Sequence, residues 1–189
     1  MAFQKKVVSL RQGYGAAGCA TPTLILTPTT MKKLTLQIPY AVCQPDELDT
    51  EDRTLVELAR RACDTSYVPY SHFHVGAAVR LEDGTTVCGS NQENAAYPSG
   101  TCAERCTMFY ANARHPHLAP TAIAIAARAN DGSFTETPIT PCGACRQVLI
   151  ETQHRYGKPL RVLLYGTRHT FVLESVSDLL PFQFDANAL

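Results

Sequence analysis

The chain has no excess of charge: 17 Lys and Arg balance 17 Asp and Glu across 189 residues. With no basic run outside the first residues, neither a long nucleic-acid track nor an anionic membrane surface is signalled as a partner. No apolar stretch approaches the roughly 20 residues of a transmembrane helix, and no secretory hydrophobic region precedes the cysteines. Internal repeats are absent as well. The balanced charge points instead to a small substrate, and the 8 cysteines are too sparse for a disulfide scaffold, so a reducing, cytoplasmic setting is expected. Acidic residues are missing from residues 1–44, which carry Lys5, Lys6, Arg11, Lys32 and Lys33 and a Gly, Thr and Pro-rich run. That stretch reads as an organellar targeting peptide or, in preference, as a disordered upstream extension before a start near Met31. Residues 45–189 then form one domain, within a chain that is 45% hydrophobic and long enough to bury a core.

What is present centres on two short stretches, Thr101-Cys102-Ala103-Glu104-Arg105 and Pro141-Cys142-Gly143-Ala144-Cys145-Arg146. Cys142 and Cys145 are three apart, so a helix stacks their sulfurs on one face, and Pro141 suits its start. Residues two apart on a regular helix diverge, so Cys102 and Glu104 share a space only if Cys102 sits at the half-wound first position of its helix. Three thiolates fill three corners of a zinc tetrahedron and leave the fourth for water. Two helix N-termini would stabilise the thiolates. Arg105 reads either as a cation offsetting their charge or as an ordinary surface arginine. Glu104 is the candidate proton carrier, taking a proton from the zinc-held water and passing it on. The pattern Cys-x-Glu followed by Pro-Cys-x-x-Cys is that of zinc deaminases with cysteine in place of histidine. Cys106 supplies the rival reading, a closed four-thiolate structural site. Cys19, Cys43, Cys63 and Cys88 read as small hydrophobes.

Periodicity places a helix from Asp49, Thr50 or Asp52 to about Ser66, with Leu55, Leu58, Ala59 and Ala62 on its core face. Strands follow over Phe73 to Leu81 and Thr85 to Gly89, hinged at Glu82-Asp83-Gly84. The polar loop Ser90 to Gly100 leads into Cys102. Asn91 and Glu93 could present an amide and a carboxylate to sugar hydroxyls, or be ordinary loop polars. A helix from Cys102 to about Arg114, a strand Thr121 to Ala129, a helix Cys142 to Tyr156 and strands Arg161 to Tyr165 and Thr170 to Leu173 complete the pattern. This alternation argues for a three-layer α/β/α sandwich on a five-stranded mixed sheet. The six histidines lack ligand spacing to the cysteines; His72 and His74, two apart on one strand face, read as residues supporting the metal ligands or, in preference, as structural or surface histidines.

On these residues the chain resembles the small homotetrameric cytidine deaminases, from about Thr50 to Phe184. The resemblance is carried by Pro69-Tyr70-Ser71-His72-Phe73-His74-Val75-Gly76-Ala77-Ala78, Asn91-Gln92-Glu93-Asn94-Ala95-Ala96-Tyr97, Cys102-Ala103-Glu104-Arg105, Pro141-Cys142-Gly143-Ala144-Cys145-Arg146-Gln147-Val148 and Leu179-Leu180-Pro181. It implies hydrolysis of cytidine and deoxycytidine to the uridine nucleosides and ammonia, in pyrimidine salvage, by zinc-bound hydroxide with Glu104 as proton shuttle. Cys102, Cys142 and Cys145 would hold Zn2+. Phe73 would stack on the pyrimidine, Asn91 and Glu93 would bind the ribose 3'-hydroxyl, and the Ala103 N–H would bond the base carbonyl. Arg105 would hydrogen-bond the ligand sulfurs. A phenylalanine from a neighbouring subunit, Phe184 in preference to Phe182, would close the site.

Overall fold

The computed structural model describes residues 32–189, so the targeting or upstream-extension reading of the first 31 lies outside the described residues. The chain divides into two units, Met1–Leu36 and Gln37–Leu189. Residues 32–36 have no regular secondary structure; all that follows concerns the second unit.

Helix α1, Thr50–Ala62, opens on Asp49, whose carboxylate accepts the Asp52 N–H at 2.8 Å. This side chain satisfies one of the donors that a helix start leaves unpaired. Leu55, Val56, Ala59 and Ala62 form its buried stripe, with Leu58 half-buried at the margin. A 3-10 turn, Cys63–Thr65, extends it to the expected end.

Strands β2, His74–Leu81, and β3, Thr86–Ser90, form a hairpin whose turn uses Gly84 at φ 87°. After helix α2, Ala103–Arg114, comes β4, Pro120–Arg128, antiparallel to β2. Helix α3, Gly143–Tyr156, is the crossover to β5, Arg161–Tyr165, which runs parallel to β4. A parallel pair needs such a connection, because its strands cannot be joined by a tight turn. Gly157, left-handed at φ 63°, stops α3 and returns its N–H to the His154 carbonyl. Strand β6, Thr170–Leu173, pairs antiparallel with β5.

The sheet has six strands where five were expected. The additional strand, β1, is Ala41–Cys43, with Ala41 opposite Val172 on β6. It falls in the stretch read as extension and is largely exposed, so no burial pattern marks it. The order is β1-β6-β5-β4-β2-β3.

Alternation along β4 sets the three layers. Ile123 and Ile125 face α2 and α3, joined there by Val79, Val162 and Leu164. Ala122, Ala124 and Ala126 face the opposite way and pack with Leu55, Val56 and Ala59 of α1. Alanine on that face lets α1 lie close to the sheet, and Gly76 on β2 completes the close approach. A Cβ at Gly76 would stand 2.7 Å from the Cys63 nitrogen. Beside this layer the buried Asp52 carboxylate is paired with Arg161 of β5 and, at 3.4 Å, with Arg80 of β2.

Candidate active site

Cys102 and Cys142 are the N-cap residues of α2 and α3, with extended backbone at ψ 153° and 166°. Each therefore projects off the end of its helix, as the Cys102–Glu104 spacing requires. Cys145, one turn into α3, is fully buried. Its sulfur lies 3.5 Å from that of Cys142, whose sulfur is 3.9 Å from that of Cys102. All three sulfurs fall within 4.8 Å of one another.

Zinc–sulfur bonds of about 2.3 Å in tetrahedral geometry set ligand sulfurs about 3.8 Å apart. The observed separations bracket that spacing, so the three side chains fit zinc. Among the described residues, Cys106 does not join this group. It sits a full turn into α2, and its N–H closes the first helical hydrogen bond, to the Cys102 carbonyl at 3.0 Å. The four-thiolate arrangement is therefore not assembled.

Arg105 faces the same sulfurs: its Nη2 is 3.8 Å from Cys102 Sγ. A hydrogen bond from Cys145, aided by Arg105 and Cys142 and opposed by burial, pulls the Cys102 thiol down to about 5. Cys145 shifts the other way, through its hydrogen bond to Cys102 and through burial. The guanidinium and the start of α2 both favour the ionised form of Cys102.

Glu104 is 4% exposed in the first turn of α2. Burial raises its pKa, and the nearby Cys102 charge adds to the rise. A carboxyl so placed holds a proton more readily than a solvated one, as a group that both takes and gives protons needs. Ala103, fully buried, is the first residue of α2.

The loop after β3 is brought to the sulfurs by backbone pairing. Gln92 exchanges hydrogen bonds of 2.9 Å with Thr101, the residue before Cys102, and on its other side Tyr67 bonds to Asn91 and Glu93. Asn91, Glu93, Tyr97, Cys102 and Arg105 consequently line one cavity of about 270 Å³. Glu93 is held ionised by the Ser71 side chain and by the N–H groups of Tyr70 and Ser71. Phe73, at the entry to β2, is 36% exposed. His72 does not share its strand: it lies in the preceding turn at φ 55°. The two ring nitrogens of His74 are taken up by Ser66 at 2.6 Å and Asn130 at 3.4 Å.

Phe184 is 59% exposed and Phe182 92%. The Phe184 carbonyl accepts a hydrogen bond of 2.8 Å from Gln147 of α3. Arg146 donates to the Pro141 and Leu179 carbonyls at 2.8 and 2.9 Å and to Thr140 Oγ1. It thereby ties the loop before Cys142 to the C-terminal segment. Sequence reasoning gave Arg146 and Gln147 no role, although both stand in the quoted motif after Cys145.

Three converging sulfurs, a buried carboxylate beside them and an α/β/α sandwich whose helix starts supply both define the class of zinc-dependent hydrolytic deaminases. The family described as "Cytidine and deoxycytidylate deaminase zinc-binding region" matches residues 49–156. A cytidine deaminase of Halalkalibacterium halodurans is 39% identical over 134 residues, 70% of this chain and 92% of that protein. A crystal structure of cytidine deaminase from Burkholderia pseudomallei superimposes with a TM-score of 0.60 at 42% identity, covering 69% of this chain and 97% of that one. The Mycobacterium tuberculosis cytidine deaminase structure gives 0.56 at 32%, with coverages of 72% and 99%. The chain belongs to the cytidine deaminase family.

Proposed function

We propose that the chain hydrolyses cytidine and deoxycytidine to uridine and deoxyuridine with release of ammonia, in pyrimidine salvage. The observation that carries this reading is the buried Glu104 carboxyl beside Cys102 and Cys145, two of the three sulfurs spaced for one zinc ion. Cys102, Cys142 and Cys145 would hold the zinc. When bound, the metal lowers the pKa of water from 15.7 to about 7 and so supplies hydroxide at neutral pH.

Glu104 takes up the proton that water releases and gives it to the ring nitrogen beside C4. As hydroxide adds to C4, Glu104 would be free to take the second water proton from the new C4 hydroxyl and deliver it to the exocyclic amine, so that the C4–N bond breaks, ammonia leaves and the C4–O bond becomes a carbonyl. The Ala103 N–H, at the start of α2, holds the base carbonyl. Phe73 stacks on the ring, and Asn91 and Glu93 bind the ribose 3'-hydroxyl. Arg105 offsets the thiolate charge.

Glu93 also argues for a nucleoside over its phosphate. An ionised carboxylate in the sugar cavity repels a phosphate group. The assembly in this reading is a homotetramer, in which the largely exposed ring of Phe184 reaches the site of a second copy. Residues 45–189 constitute the deaminase domain, with 1–44 an N-terminal extension whose Ala41–Cys43 segment closes one sheet edge. A cysteine density below that of disulfide scaffolds supports a cytoplasmic location.

The test is ultraviolet-monitored turnover of cytidine and of cytidine 5'-monophosphate by the purified chain, with zinc measured in the same sample. Preferred turnover of cytidine at one zinc per chain is expected. Preference for the monophosphate would overturn the substrate assignment.

A further inference from the structure

Asn91 is engaged before any ligand arrives. Its side-chain Nδ2 donates to the Phe73 carbonyl at 2.9 Å, and its Oδ1 accepts the Val75 N–H, also at 2.9 Å. One amide therefore bridges the backbone on both sides of His74. The backbone N–H of Asn91 adds a third tie, to the Val75 carbonyl at 3.1 Å.

The segment held in this way has little regular structure of its own. Residues 69–73 form a turn and its exit, and His72 within them is left-handed at φ 55°. A residue with a side chain persists there only when its surroundings over-determine it. Those surroundings are visible. Glu93 Oε2 accepts the N–H groups of Tyr70 and Ser71 at 3.0 and 3.2 Å, and Ser71 Oγ accepts that of Phe73 at 3.1 Å. Across the clamp, the His74 ring is fixed by Ser66 Oγ at 2.6 Å.

We propose that Asn91 is a positioning residue for Phe73: its amide clamps the backbone at Phe73 and Val75 and sets where the aromatic ring stands over the base, separately from any bond to sugar. A carboxamide has two N–H groups and two acceptor sites. The clamp uses one of each, leaving one N–H for a hydroxyl. The two roles are therefore compatible in one side chain. This inference rests on the proposed stacking of Phe73 on a cytosine nucleoside.

A substrate without the 3'-hydroxyl separates the roles. On 3'-deoxycytidine a pure sugar contact has nothing to lose, whereas a misplaced ring costs about tenfold or more in kcat/KM. Asn91→Ala is accordingly expected to lose about tenfold on 3'-deoxycytidine in the Phe73 background and less than about twofold in the Phe73→Ala background. Asn91→Asp keeps the acceptor for Val75 and loses the donor to Phe73, so an intermediate loss is expected. This variant carries the test if Asn91→Ala loses its zinc or its melting transition.

The chain contains no tryptophan, so Phe73→Trp places a single indole at the position in question. With Asn91 intact its fluorescence should be anisotropic and shielded from acrylamide; with Asn91→Ala or Asn91→Asp added, quenching should rise and anisotropy fall. Wild-type kcat/KM on 3'-deoxycytidine together with an unchanged indole would overturn the proposal while leaving the sugar contact intact. A wild-type chain that turns over no cytosine nucleoside would instead overturn the substrate reading, and the indole would still decide whether Asn91 holds residue 73.

Discussion

Arg105 Nη2 stands 3.8 Å from Cys102 Sγ, the sulfur that caps the start of α2. Three thiolates would leave a divalent zinc site with one net negative charge, and a cation in contact with the sulfur offsets it. Arg105→Gln removes that charge while keeping much of the side-chain volume. Partners outside the ligand shell are typically worth about 10- to 100-fold in metal affinity or activity. A loss of that size is expected, read as faster zinc release to a chelator and lower kcat/KM for cytidine. A variant indistinguishable in both would return Arg105 to an ordinary arginine.

Glu104→Gln keeps shape and burial and removes the exchangeable proton. Zinc content and melting temperature should stay at wild-type values while kcat falls by about 10² or more, the scale of lost acid–base help. Turnover near wild type would take Glu104 out of the mechanism.

Cys63 offers a pH test away from the site. It is buried between α1 and the sheet, and burial pushes its thiol up to about 11 from 9.0. The folded pKa lies above the unfolded one, so the associated stability is complete below pH 9 and disappears as pH rises through 11. Two pKa units correspond to roughly 2–3 kcal/mol. Urea unfolding from pH 8 to 11 should show that decline in the wild type and a shallower one in Cys63→Ala. Equal slopes would exclude the Cys63 contribution.

Gly76→Ala tests the layer spacing. The new methyl group would meet the Cys63 backbone at 2.7 Å, and backbone at a helix end has little room to give. Overpacking of this kind costs about 1–3 kcal/mol or more, measurable as a lower urea midpoint. An unchanged midpoint would mean that α1 is free to lift from the sheet.

The regular elements were legible because their signals are local. Arg161–Tyr165 and Thr170–Leu173 end where their β-branched and aromatic residues end, and Asp49 announces α1 by capping it. Strand β1 was not legible, since two exposed residues and a half-buried cysteine become a strand only through pairing with Val172, Phe171 and Thr170. In the site, the convergence of Cys102, Cys142 and Cys145 could be read from spacing, because a helix turn and a helix start dictate where a sulfur points. The Asn91 clamp and the ties made by Arg146 and Gln147 could not. They depend on backbone carbonyls, and a carbonyl carries no residue-specific mark. His72 was misplaced for a similar reason: its left-handed backbone is imposed by the loop around it, not by histidine.

A zinc ion held by Cys102, Cys142 and Cys145 would keep one position for water. X-ray absorption at the zinc edge of the purified chain, compared with Cys106→Ser, tests it directly. Three sulfurs at about 2.3 Å and one lighter oxygen or nitrogen scatterer are expected, unchanged in the variant. Four sulfurs in the wild type, falling to three on substitution of Cys106, would contradict the account.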